Sequence, residues 1–198
     1  DKITPYDIES GRELGYVVKL LAIGKKCGNK IEVRVHPAFV PAEHMLAGVR
    51  GSFNAIHLTG DNVGEMMMYG RGAGDLPTGS AIVSDIVYCS SLNKPQYAAF
   101  ENNGALAADI VNVADWESRY YFMIACKDAP GVLAKVTSIL GGNNVSIDTV
   151  IQRGRKNNKA FVLFLTHMTS EKAVQQAISE IRLLNVVDEV VSLIRVID

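Results

Sequence analysis

Two short stretches hold the residue types and spacings that chemistry uses. The first, YGRGAGDLPTGSAIVSDIV at Tyr69–Val87, sets Gly70, Gly72 and Gly74 within five residues, then a Pro-Thr pair and an apolar run at helical spacing. A glycine loop opening into a helix brings bare backbone and first-turn amides close to a phosphate or a flat ring. The spacing is not G-x-G-x-x-G, however, and no acidic residue follows about 20 positions on. The second stretch, KDAPGVLAKV, places Asp128 near a helix start, Pro130 in a pre-set turn and Gly131 where a neighbour can approach the backbone. Amides there suit the carboxylate of a small ligand. Each stretch also has a plainer reading, a tight turn before a helix in one case and an ordinary helix start in the other.

Other chemistries find little support. The four histidines and three cysteines never meet at metal-ligand spacing, so no metal site is expected. Lys19, Lys25, Glu65 and Asp85 lack the positioned partner that acid–base catalysis needs, and no catalytic residue is assigned. A formal net charge of −1 gives no electrostatic case for nucleic acid or an anionic membrane. No apolar run approaches a membrane span, and no signal peptide is visible. Odd, widely separated cysteines suit reduced thiols, so a cytoplasmic location is expected. The chain starts at Asp1 without an initiator methionine, as a cut piece would.

With 198 residues, 48% of them apolar, the chain can fill one large or two small cores. A first unit is expected over 1–97. Thr4, Pro5 and Asp7 read as a helix start, and Leu14, Val18, Leu21 and Ala22 continue at helical spacing to Gly24, where KKCGNK closes the helix. IEVRVHP alternates Ile31, Val33 and Val35 against Glu32, Arg34 and His36, predicting a half-buried strand. SFNAIHLTGDNVGEMMMYG predicts a hairpin about Gly60-Asp61, and a helix is expected from Pro77 to Ser90.

A linker over 98–117 follows, with a short helical turn in GALAADIV, and a second unit over 118–198. RYYFMIAC and KAFVLFLTHM are nearly continuous apolar strands, VSIDTVIQRG and DEVVSLIRVI are the others. Helices lie at Val132–Leu140, burying Val132, Leu133, Val136, Ile139 and Leu140, and after a Thr169 cap, burying Val174, Ala177, Ile178 and Ile181. The order βαββαβ predicts two helices on one face of a four-stranded antiparallel sheet, with the first and third strands central and the second at an edge.

That order, with DAPGVLAKVTSILGGNNVSIDTVIQ, closely resembles an ACT domain, a regulatory module that binds amino acids. The resemblance implies an effector site of Asp128, Ala129, Gly131, Val132, Leu133, Asn144 and Ile147, usually at an interface between two modules. ELGYVVKLLAIGKK, IEVRVHPAFVPAEHMLAGVRGSFNAI and GDNVGEMMMYGRGAGDLPTGSAIVSDIV resemble the C-terminal part of homoserine dehydrogenase, which uses NAD(P)H to interconvert aspartate semialdehyde and homoserine. The implied fold is α+β: part of a catalytic-domain sheet unit, then a ferredoxin-like ACT domain. The resemblance also implies cofactor contacts at Gly70, Gly72, Gly74 and Thr78. It places the nucleotide-binding domain and catalytic lysine upstream, so that no cofactor is expected on this piece alone and the piece is expected to be inactive. A homo-oligomer, dimer or tetramer, sensing threonine is expected. The alternative is a stand-alone amino-acid-binding or oligomerisation module.

Overall fold

A computed structural model describes residues 3–92, 110–156 and 159–197. The elements run α1 (Pro5–Glu13), β1 (Tyr16–Cys27), β2 (Lys30–Pro41), β3 (Phe53–Gly60), β4 (Gly64–Arg71), α2 (Asp75–Ser91), β5 (Glu117–Lys127), α3 (Val132–Gly142), β6 (Ile147–Lys156), β7 (Lys159–Thr166), β8 (Thr169–Ser170), α4 (Glu171–Arg182) and β9 (Val187–Val196). The chain divides into two compact units, Asp1–Ala42 with Leu106–Asp198, and Glu43–Ala105. The helical turn expected in GALAADIV lies almost wholly outside the described residues.

The βαββαβ expectation is met. The order β9-β5-β7-β6 puts the two most apolar strands in the middle and β6 at the edge. Val132, Val136 and Leu140 of α3 and Val174, Ala177, Ile178 and Ile181 of α4 share one core with Tyr120, Phe122, Ile124, Val162 and Phe164, so both helices lie on one face. Two details differ from expectation. Ser170, not Thr169, caps α4, its hydroxyl accepting from the Ala173 amide, since α4 starts at Glu171 and Thr169 falls one residue too early. Leu133 faces outward instead of joining the buried stripe of α3, since it falls one step off the Val132–Val136–Leu140 line.

The largest correction lies earlier. Thr4, Pro5 and Asp7 start α1 as expected, with a reciprocal capping box, but the helix stops at Glu13. Gly15, at φ 84°, turns the chain, and Tyr16–Cys27 is a strand paired antiparallel with β2 along its whole length. Leu14, Val18 and Leu21 fit a helical period by coincidence, whereas Tyr16, Val17, Val18 and Ile23 favour a pleated surface. The Gly28-Asn29 pair that seemed to end a helix is a two-residue hairpin loop with Gly28 at φ 60°. The alternation in β2 is real, yet its faces are reversed. Glu32 and His36 are about 5% exposed while Val33 and Val35 are 51% and 71% exposed.

The reversal follows from what covers each face. The end of β2 joins β9 in parallel, Ala38 against Arg195 and Phe39 against Val196, extending the sheet to β1-β2-β9-β5-β7-β6. The β9 edge is therefore occupied, a point the four-stranded expectation missed. On the polar face of β2, the Arg34 guanidinium lies 5.7 Å from the Trp116 ring and Arg195 lies 5.9 Å from the same ring. Arg195 makes two hydrogen bonds to the buried Glu171, which also accepts from Tyr120 and Gln175.

The second face of the sheet is covered by α1. Phe39, Tyr121, Met123, Leu163, Leu165, Ile194 and Val196 form a core there, flanked by Ile3, Leu14, Tyr16 and Val18. Asp7 is fully buried at its centre. One carboxylate oxygen accepts from Tyr121 and Ser192, at 3.1 and 2.6 Å, and the other from the Thr4 amide and hydroxyl, both at 2.7 Å. Gly11 lets the helix down onto Phe39, whose ring tip would lie 2.9 Å from any added Cβ. In the other unit, β3 and β4 form the expected hairpin, followed by α2. Among the described residues no helix is long and apolar enough to cross a membrane.

Replacing Asp7 with alanine removes a cap and strands two buried hydroxyls, and should cost about 2–4 kcal/mol in urea unfolding. Stability should also fall with pH in two stages. Burial, reinforced by Arg195 and Arg34 against the opposing Pro37 carbonyl and Glu171, holds His36 below its ordinary value of 6.5. Below that value the unfolded chain therefore takes up a proton that the folded one resists. Burial pushes the Glu171 carboxyl up, but hydrogen bonds from Arg195, Gln175 and Tyr120 prevail and lower it below 4.5, so its share is lost further down. His36→Asn should flatten the first stage and leave the second, as read from urea midpoints between pH 7.5 and 3.5.

Candidate functional site

The strand β5 ends at Lys127, and Asp128–Gly131 carries the chain into α3. Gly131 is the N-cap, at φ 83° in the left-handed region, so the first turn of α3 has no side-chain cap. Pro130 lies just before the helix, not within its first turn. A cavity of about 180 Å³ opens here, floored by Cys126, Val132, Ala160 and Val162 and rimmed by Asp128, Ala129, Gly131, Leu133 and Gln152. It is smaller than the roughly 300–1,000 Å³ of drug-sized pockets, so only a small metabolite fits.

Five of the seven residues implied for the effector site, Asp128, Ala129, Gly131, Val132 and Leu133, come together in this cavity. Asn144 and Ile147 do not line it. Asn144 lies beyond the far end of α3, at φ 57°, with its amide donating to Gly141, and Ile147 begins β6. Gln152 and Cys126 are among the lining residues that the expected set lacks, as are Ala160 and Val162. Gln152 donates from Nε2 to Asp128 Oδ1 at 3.3 Å. Its inward position follows a register shift between Ile147 and Thr149, which puts Ile147 and Gln152 on the same face despite their odd spacing. Cys126 is a buried floor residue. Burial first, then Asp188 and Asp128, raise its thiol pKa, so it is a poor nucleophile.

An apolar floor, a carboxylate and an amide at the rim, and an uncapped helix start form a set of contacts that matches a small zwitterion. Helix-start amides are suited to a carboxylate, and an aspartate is suited to an ammonium.

In the other unit, the three loop glycines prove unequal. An added Cβ at Gly72 would coincide with the side-chain amide of Asn54, a neighbour that spacing did not reveal. Gly74 is the N-cap of α2 at φ 119°, so its demand is on the backbone. Gly70 lies in β4 opposite Asn54 with nothing within 4 Å of an added Cβ. Of the three, Gly70 alone presents open space together with an ordinary backbone, as a close-approaching ring would need. Thr78 follows one turn into α2, its amide donating to the Gly74 carbonyl. Arg71, the loop's cation, stacks 4.7 Å over Phe53 and donates to Ser52, and Phe53 stacks in turn on Tyr69. It is engaged by the hairpin, which weakens a phosphate site resting on the loop alone. Lys19 and Lys25 lie on β1, Asp85 on α2, and Glu65 on β4, 4.0 Å from His57. Among the described residues no group of three His, Cys, Asp or Glu side chains could hold a metal.

Residues 1–87 match the homoserine dehydrogenase family and residues 120–182 match the ACT domain. The curated homoserine dehydrogenase of Neisseria gonorrhoeae is 38% identical over 201 residues, covering 98% of this chain and 46% of its own length. That of Helicobacter pylori is 38% identical over 196 residues, with the same coverage. The chain thus spans about half the length of the curated relatives it matches. The crystal structure of a homoserine dehydrogenase from Thiobacillus denitrificans matches with a TM-score of 0.85 and 36% identity, over 99% of this chain and 46% of that one.

Gly131→Ala should cost about 1–2 kcal/mol, because a β-carbon is strained in the left-handed region. Gly70→Ala should shift stability by less than about 0.5 kcal/mol, which makes it a clean probe of function. Thermal and urea midpoints measured side by side test both.

Proposed function

The chain belongs to the homoserine dehydrogenase family, and on that premise we propose that it is part of an enzyme interconverting aspartate semialdehyde and homoserine with NAD(P)H. It contributes one wall of the cofactor site and a module that senses an amino acid. The observation that carries this reading is α2. This apolar helix of 17 residues has none buried, and Leu76, Ile82, Val83, Ile86, Val87 and Tyr88 are all more than half exposed. A helix apolar on every side belongs inside a larger body. A stand-alone module has no use for it.

The glycine stretch fits a cofactor wall. Gly70 offers bare backbone with room beside it, Gly72 makes room for Asn54, and Gly74 with Thr78 starts a helix whose amides face an anionic or carbonyl group. The nicotinamide cofactor supplies the hydride when bound. The role of this chain is to let the ring lie close and to keep water out. With a single wall, the chain alone should have no dehydrogenase activity.

In the ACT module the effector is a small amino acid, threonine by preference. Its carboxylate meets the first turn of α3, its ammonium meets Asp128, and its short side chain lies on Val132, Ala160 and Val162. Asn144 and Ile147 would reach an effector only across an interface with a second module. Among the described residues β6 ends the sheet on the side of the ACT module and offers an edge for such pairing, in a dimer or tetramer. Three unpaired thiols fit a reduced cytoplasm.

Titration calorimetry with threonine should give saturable heat, weakened about tenfold in Gln152→Ala. A homoserine-dependent rate of NAD(P)H formation from this chain alone would refute the one-wall reading. In an enzyme carrying the chain, Gly70→Ala should lower kcat/KM at least about tenfold with an unchanged melting temperature.

A further inference from the structure

The residues that line the cavity and those that hold α1 are neighbours in the same two strands. Gln152 and Val162 are cross-strand partners on the helix-bearing face, where both line the cavity. One residue along each strand, Arg153 and Phe161 are partners on the opposite face. There the Arg153 guanidinium pairs with Glu13, the last residue of α1, and the Phe161 ring stacks on Tyr6 of α1 at 5.9 Å and 10°. The sheet at this point is one residue thick between a ligand cavity and a helix.

From this geometry we infer that occupancy of the cavity is transmitted through the sheet to α1 by the Gln152–Arg153 step. The inference rests on the effector reading given above. An ammonium drawn to Asp128 shares the carboxylate to which Gln152 donates, and in this inference the sharing resets the position of Gln152. The strand is able to yield there. A register shift falls between Arg153 and Arg155, and Gly154 at φ 43° lies between them. Motion of Gln152 carries Arg153, and Arg153 pulls on Glu13.

The helix answers as a lever. Its first turn is fixed by Asp7 to Tyr121 and Ser192, which makes that end the pivot. Its last turn rests on Phe39 through Gly11, so a rotation about Asp7 displaces the Phe39 ring and with it β2. The two states are α1 seated as found and α1 rotated about Asp7. A ligand can shift that balance only by binding one state better than the other. Reciprocity then requires that loosening α1 alter ligand affinity, although Glu13 lies on the far face of the sheet.

The test uses the full chain with threonine as the probe. Calorimetry gives Kd for the parent, Glu13→Gln, Tyr6→Leu and, as a same-helix charge control, Glu9→Gln. Hydrogen exchange follows the α1 amides with and without threonine. The expected result is a Kd change of about threefold in Glu13→Gln and Tyr6→Leu, none in Glu9→Gln, and altered α1 exchange on binding. A modest factor is appropriate because the Arg153–Glu13 pair is partly exposed and screened. Saturable heat with an unchanged Kd in both variants and unaltered α1 exchange would overturn this inference while leaving the effector reading intact. No heat in any variant would overturn both. Tyr6→Leu keeps the helix packed if Glu13→Gln proves unstable.

Discussion

A sheet with both helices on one side leaves its other side bare, and here a single buried carboxylate fixes the cover. Asp7 has no exposed surface and accepts four hydrogen bonds, two from its own helix start and two from hydroxyls on β5 and β9. Burying a carboxylate is costly unless such donors are in place. Once they are, the start of α1 is anchored on the sheet, Gly11 can meet Phe39, and the end of β2 can reach β9. The fusion of Asp1–Ala42 with Leu106–Asp198 into one compact unit depends on that chain of contacts.

Much of the second half was legible because its signals are local and redundant. The apolar runs of β5 and β7, the stripe of α4 and the paired glycines at the end of α3 each point to the same βαββαβ order. The first half was harder. Leu14, Val18 and Leu21 satisfy a helical period, and only their pairing partner, Ile31–Pro41, decides that the segment is a strand. Alternation in β2 was visible, but which face is buried is set by Trp116 and Arg195, residues far away in sequence. The same holds at the cavity. Asp128 and Gly131 announce themselves by type, whereas Gln152 turns inward because of a register shift that no periodicity encodes.

The glycine stretch illustrates how one residue type serves three needs. At Gly72 the missing side chain makes room for Asn54, at Gly74 it permits a backbone angle, and at Gly70 it leaves space beside a strand. Sequence alone ranks these glycines together. The distinction matters because only the third kind of vacancy is available to something outside the chain. The apolar helix that follows, exposed along its length, gives that availability a context, since an exposed apolar surface of this kind marks an interaction site.

The chain contains one tryptophan, and it lies where β2, β9 and the start of α4 meet. Trp116 is flanked by two guanidinium groups, and its carbonyl accepts from the Glu171 amide at 2.7 Å. Its indole emission therefore originates from a single known place, the weld between the hairpin and the ferredoxin-like sheet. Selective excitation of that ring turns an ordinary fluorimeter into a gauge of whether the weld is intact, with no label added and no competing tryptophan elsewhere in these 198 residues.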